Sequence, residues 1–298
     1  MTAGRPAPPE PGSWNVHATR PSILARINCT SDPTLAGSWG KMCGIHAALF
    51  SSAHTISPEL RQRLCNRGPD YLGQMERRVQ GTSLSLTLTS TVLALRGDHV
   101  AQQPLRHLQT DSVLCWNGEA WRIGGRLVDG NDGEAILALL AQASASSSPA
   151  ARQVAILDVF RAVEGPFAFV YYDKPSETLF YGRDRLGRRS LMVSKDGASD
   201  TFILSSIAEA CEPRWTEVEA DGIYTLAIKP SQSGPPASGG LRYSPTRHDW
   251  LAGGQADFVS PSRRAGGCNF PLAVVQTYSP RSLASGSSTN PSPLPPPS

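Results

Sequence analysis

Met42-Cys43-Gly44-Ile45 is where residue type alone first suggests chemistry in this chain of 298 residues. A cysteine directly after a methionine gains a free α-amine if translation begins at that methionine and the methionine is then trimmed. A thiol titrates near ~8.5 and an α-ammonium near ~7.7–8.0, so proton exchange between them costs little at neutral pH. Such a residue needs no histidine, because its own amine serves as general base. The other cysteines, at 29, 65, 115, 211 and 268, form no CxxC pair and no Cys/His zinc spacing. Core packing is the expectation for Cys65, Cys115, Cys211 and Cys268, and reduced thiols in a cytoplasmic protein are the expectation for the set.

Asn117-Gly118-Glu119 is the second candidate. Asn-Gly after an apolar run is the strongest short hairpin signal, so a turn is one reading. An oxyanion hole is the other: an Asn amide and a Gly N–H are two neutral donors able to converge on a developing alkoxide. Among chemistries the sequence does not write are ATP and dinucleotide binding of the GxxxxGK[ST] and GxGxxG kinds, and HExxH metal sites.

The elements that must position these residues follow from patterning. An apolar strand starts at Cys43, and Ser57-Pro58-Glu59 opens a helix to about Asn66 as N-cap, N1 proline and first-turn acid. Residues 67 to 70 (RGPD) read as a loop. The alternation in Leu84–Leu95 predicts a strand with a break near Ser90, and Ser112–Trp116 a strand ended by Asn117-Gly118. Helices are predicted over Asp132–Ala143, with Asp132 as N-cap, and over Val154–Val163. Strands then return at 167–173, 178–182, 190–194, 201–205 and 222–227. Strands, a helix pair, then strands indicate α+β layers rather than a parallel α/β sheet.

Composition sets the domain limits. Pro, Ser and Gly make up nearly half of residues 231–298, and residues 1–41 read similarly, so a domain at 42–230 is expected between a disordered or mis-annotated leader and a disordered tail. The formal charge of +3 belongs to those flanks: the central segment carries 19 basic against 21 acidic residues, with no basic stripe, which argues against nucleic acid. No run of 18 apolar residues exists to span a membrane.

In order along the chain, MCGI (42–45), RGPD (67–70), QP (103–104), WNGE (116–119), NDGEAIL (131–137), VEGPFAFVYYD (163–173) and GRDRLGRRSL (182–191) resemble the blocks of the class II glutamine amidotransferases. LRG at 95–97 and the GRRSL ending look most like the asparagine synthetase domain-containing proteins. The resemblance implies a four-layer αββα sandwich, the N-terminal-nucleophile (Ntn) hydrolase fold, with the 57–66 helix on the side away from the other two. It also implies roles: Cys43 as nucleophile on the glutamine side-chain amide, Asn117 and Gly118 as oxyanion donors, and Asp132, Glu119 and Arg96 as substrate-binding residues. Asp132 would take the α-ammonium. Arg67, Gly68 and Asp70 would shape a loop, and Gly182-Arg183-Asp184 would end a strand with a structural ion pair.

Two departures qualify the resemblance. The arginine that pairs with the substrate α-carboxylate in the family aligns with Leu93, and Arg96 lies three residues on, toward the opposite face of a strand unless a bulge or Gly97 reorients it. In addition, residues precede Cys43, whose nitrogen is then an amide; a true start at Met42 is the expectation. The family's synthetase half, with its ATP and Mg, is expected to be missing from this chain, Ser238-Gly239-Gly240-Leu241 being a chance near miss to its pyrophosphatase loop. No cofactor or metal is expected here, and a separate synthetase partner is. Three functions are thus weighed: a glutaminase supplying ammonia for asparagine synthesis, an inactive amidotransferase-like interaction module, and a truncated product.

Overall fold

A computed structural model describes residues 42–51, 54–146, 148–196, 201–209, 215–228 and 243–251. The leader over 1–41, most of the tail, Cys29, Cys211, Cys268 and residues 238–241 lie outside them; the expected domain limit at 230 is too early, because residues 246–249 pair with residues 222–225 and Trp250 joins the core. In chain order the elements are β1 (Gly44–Phe50), α1 (Pro58–Arg67), β2 (Tyr71–Arg78), β3 (Ser85–Val92), β4 (Leu105–Arg106) and β5 (Val113–Gly118). Next come β6 (Arg122–Ile123), β7 (Arg126–Leu127), α2 (Asp132–Ser144), α3 (Pro149–Arg161), β8 (Val163–Glu164), β9 (Phe167–Asp173) and β10 (Thr178–Arg183). The chain continues with β11 (Met192–Asp196), β12 (Thr201–Ser205), β13 (Trp215–Glu217), β14 (Gly222–Ala227) and β15 (Thr246–Asp249).

Two six-stranded sheets form the centre, in the orders β13-β11-β12-β1-β3-β2 and β15-β14-β10-β9-β5-β4, and β7-β6-β8 make a small third sheet. Every neighbouring pair of strands is antiparallel. The inner faces share one core: Ile45, Ala47 and Leu49 of β1 and Leu86 and Leu88 of β3 meet Val113 and Cys115 of β5 and Val170 of β9. On the outer face of the second sheet, Leu114, Trp116, Phe167, Phe169 and Tyr171 pack on Ile136 and Leu140 of α2 and Ile156 and Phe160 of α3. Phe160 stacks on Phe169 with ring centroids 3.6 Å apart. Helix α1 lies against β1 and β3 of the first sheet. These layers are the αββα sandwich expected of the Ntn hydrolase fold.

Local chemistry explains the helix ends. Ser57 caps α1 by accepting from Leu60 N at 3.2 Å, with Pro58 in the first turn. The helix stops at Gly68 because the chain there presses on β3; a Cβ at Gly68 would lie 2.6 Å from Thr91 C and Val92 N. Several sequence expectations need correction. β3 runs through Ser90 without a break. Helix α3 starts at Pro149, capped by Ser148, rather than at Val154. The N-cap of α2 is Asn131, not Asp132. β2 was not anticipated, since as an edge strand it keeps polar residues exposed and its alternation is weak. Arg183 and Asp184 do end β10 with ion pairs, to Glu217 and Arg188 respectively, as expected.

One buried polar contact makes stability sensitive to pH. His46 projects from the outer face of β1 and is 1% exposed. Its Nε2 lies 3.3 Å from that of His54, the rings are nearly parallel, and its Nδ1 is buried without a partner. Burial first, and the neighbouring imidazole second, push His46 down to about 3; burial also lowers His54, against the opposing pull of Glu209. The folded state thus disfavours protonated His46 while the unfolded chain accepts the proton below about pH 6.5. The stabilisation is complete above that pH and is lost progressively as pH falls toward 3. The expected outcome is a melting temperature that falls between about pH 6.5 and about 4.5, above the ordinary carboxylate range, with a shallower fall in His46→Gln; thermal denaturation across pH measures it.

Candidate active site

The site is built on one edge of β5. β4 is only two residues long and pairs with Val113 and Leu114, so beyond Leu114 the side of β5 facing away from β9 has no strand neighbour in this sheet. Along a strand, the N–H groups of alternate residues point to the same side. Glu119 N donates to Pro166 O at 2.9 Å, on the β9 side. Trp116, Gly118 and Ala120 therefore point theirs toward the free edge. Trp116 N is taken by Gln103 Oε1 at 2.7 Å and Ala120 N by Asp132 Oδ2 at 2.7 Å. The middle amide, Gly118 N–H, faces the cleft between these two side-chain caps.

Asn117 and Gly118 are thus the last residues of a strand, in register with Ala168 and Phe167, and not a hairpin turn. Gly118 is required by close packing: a Cβ there would lie 2.6 Å from Phe167 Cβ and 2.8 Å from Pro166 O. Asn117 is 1% exposed and its Nδ2 is buried with no hydrogen-bond partner. An orphaned buried donor of this kind is rare, because leaving one unmade costs ~1–3 kcal/mol. Both residues line the cleft that also holds Cys43, Leu93, Arg96, Asp132 and Arg189.

Cys43 immediately precedes β1. Its Sγ donates to Leu93 O at 3.7 Å and accepts from Leu93 N at 3.4 Å. Burial is the main effect on its acidity and pushes the thiol up; the Leu93 backbone bond lowers it, the Asp132 carboxylate raises it, and the Arg189 and Arg67 cations lower it. The balance is upward, so the sulfur is a protonated thiol at neutral pH and needs a base to attack. Met42 also lines the cleft; its N donates to Arg67 O at 3.0 Å. With Met42 attached, the Cys43 nitrogen is an amide and offers no lone pair.

The other sequence-nominated residues fall around this centre. Asp132 opens α2 but is buried, its Oδ2 accepting from Trp116 Nε1 at 3.0 Å as well as from Ala120 N. Both bonds fall on one oxygen, which leaves Oδ1 for a ligand. Glu119 is half-buried and pairs with Arg189 at 3.3 Å. Arg67 donates from Nε to Cys43 O at 3.4 Å, and Asp70 Oδ2 accepts from Ala94 N at 2.8 Å, so this loop holds both the Cys43 backbone and the Leu93 segment beside it. Arg96 reaches the cleft because β3 ends at Val92; Leu93–Arg96 is loop and Gly97 turns at φ 85°. The strand-parity objection to Arg96 therefore does not apply. Its guanidinium is nevertheless occupied, Nη1 on Ala120 O at 2.6 Å and Nη2 on Val128 O at 2.9 Å. Gln103, Trp116 and Arg189 were not anticipated. The QP, WNGE and GRRSL blocks contain them, but nothing in their spacing tells which side chain points inward.

Comparison with known proteins finds the following similarities. Residues 91–212 match the family described as glutamine amidotransferase domain. Asparagine synthetase domain-containing protein 1 of Gallus gallus is 34% identical over 198 residues, and that of Bos taurus 33% over 195; each match covers 63% of this chain and 29% of the relative. Among solved structures, the glutamine phosphoribosylpyrophosphate amidotransferase of B. subtilis is similar at a TM-score of 0.44 and 16% identity, over 69% of this chain and 49% of that one. The matched segment is similar to a glutamine amidotransferase domain. The similarity to the asparagine synthetase domain-containing proteins spans less than a third of their length. No helix among the described residues is long and apolar enough to cross a membrane.

The geometry predicts that Asn117→Ala, in chain whose terminus is Cys43, lowers kcat for amide hydrolysis by about 100- to 1,000-fold with little change in KM, the usual effect of deleting one oxyanion donor. Steady-state ammonia release measures it.

Proposed function

We propose that this domain hydrolyses the side-chain amide of glutamine and supplies the ammonia to asparagine synthesis, the amidating half lying outside the matched region. The observation that carries this reading is the pair of open donors, Asn117 Nδ2 and Gly118 N–H, beside a half-buried thiol. In a chain whose first residue is Cys43, the α-amine takes the thiol proton as sulfur attacks the amide carbon. The two donors hold the resulting oxyanion. The proton passes to the amide nitrogen, ammonia leaves, and water attacks the γ-glutamyl thioester with the amine again as base, releasing glutamate and restoring the thiol. Asp132 binds the substrate α-ammonium through its open oxygen, with Glu119 beside it. Arg67, Gly68 and Asp70 keep the Cys43 and Leu93 segments in place. With residues 1–42 still attached the same chain has no base, and the reading as a non-catalytic interaction module belongs to that form.

The test uses the full chain carrying a site-specific protease site ahead of Cys43. Cut chain is expected to release ammonia from glutamine, uncut chain is not, and Cys43→Ser abolishes the release. The rate should rise with pH as the α-ammonium, near ~7.7–8.0 in its ordinary state, gives up its proton. Absence of ammonia from cut, folded chain would overturn the amidotransferase reading.

A further inference from the structure

We propose that Arg189 recognises the α-carboxylate of the amino-acid substrate, an assignment that rests on the glutamine-hydrolysing reading above. Glutamine presents a zwitterion at its backbone end. Asp132 and Glu119 supply negative charge for the ammonium, and a desolvated carboxylate requires a cation in the same cleft. Two arginines line it, Arg96 and Arg189. Arg96 is committed on both terminal nitrogens to the carbonyls of Ala120 and Val128 and works as a strut between loop segments.

Arg189 is differently placed. Its Nη2 meets Glu119 Oε1 at 3.3 Å, longer than the ~2.7–2.9 Å of a well-formed charge-assisted bond. Its Nε is buried and has no hydrogen-bond partner. A carboxylate bridging from the side would satisfy that nitrogen while the Glu119 contact persists. The backbone beneath is fixed: Arg183 Nε donates to Arg189 O at 2.7 Å, and Asp184 accepts from Arg188 N at 3.1 Å and Arg188 Nε at 2.9 Å. Asp184 in turn accepts from Phe167 N at 3.0 Å, beside the β5 end that carries Gly118. Arg189 is thus held to the same strands as the oxyanion donors, as a substrate-orienting cation has to be.

Discrimination between substrates distinguishes this role from a structural one. Full chain cut ahead of Cys43 is assayed with glutamine and with 4-aminobutanamide, which is glutamine without its α-carboxylate. Arg189→Gln is expected to raise KM for glutamine by about 10- to 100-fold, the worth of one charge-assisted pair, and to leave kcat within about threefold. The preference for glutamine over 4-aminobutanamide in kcat/KM should collapse by the same factor, and Arg189→Lys should retain part of it. Arg96→Gln should weaken both substrates alike. Equal losses on both substrates in Arg189→Gln, or collapse of the preference in Arg96→Gln instead, would overturn the assignment while leaving the amidotransferase reading standing. Should Arg189→Gln melt well below the parent chain, Arg189→Lys alone decides by the same ratio. Failure of the unsubstituted cut chain to act on glutamine is the separate result that removes both.

Discussion

The site depends on a strand that runs on after its neighbour has stopped. β5 continues four residues beyond its pairing with β4, so its outward amides have to find partners other than backbone. Two find side chains, Gln103 Oε1 and Asp132 Oδ2, and the one between them is left to the cleft. Everything else about the centre arranges groups around that open amide. The β9 pairing fixes where Asn117 and Gly118 stand, the bulk of Phe167 and Pro166 keeps residue 118 a glycine, and Trp116, buried against Phe167 and α2, holds Asp132 in place.

The proposed nucleophile comes from the other sheet. Cys43 precedes β1, and the two sheets meet through the shared apolar core, so the distance between the thiol and the Asn117 and Gly118 donors is set by side-chain packing rather than by a local turn. The α1 C-terminus reinforces this. Met42 N and Cys43 O are both bonded by Arg67, and Asp70 secures the loop whose Leu93 contacts the sulfur. Core substitutions at Leu88 or Val113 would move the thiol relative to the Asn117 and Gly118 donors as well as lower stability, because close-packed interiors transmit small displacements.

Much of this was legible in the sequence, where local chemistry decides the outcome. Ser57-Pro58 announced α1, the helix pair followed from apolar spacing, and β9, β10, β12 and β14 were found within a residue, with β11 shifted by two, whereas the short strands β8, β13 and β15 gave no alternation long enough to read. Asn117-Gly118 was not decidable locally, since the same dipeptide favours a turn, and only pairing with residues some fifty positions later makes it a strand end. Asp132 looked like a helix cap because an acid at a helix start usually is one; Asn131 does that work and frees the carboxylate to turn inward. Arg189 carried no signal, because its neighbours Cys43 and Glu119 are brought near it only by the folded sheets.

An exposed strand edge is ordinarily an invitation to another chain, which can extend the sheet by adding its own strand. Here Gln103 and Asp132 occupy the places on either side of Gly118 that an incoming backbone would need. The single vacancy between them admits one small acceptor atom and is too short to template a polypeptide. The side chains that define the binding position therefore also fill the hydrogen-bonding places that an added strand would use along this part of β5.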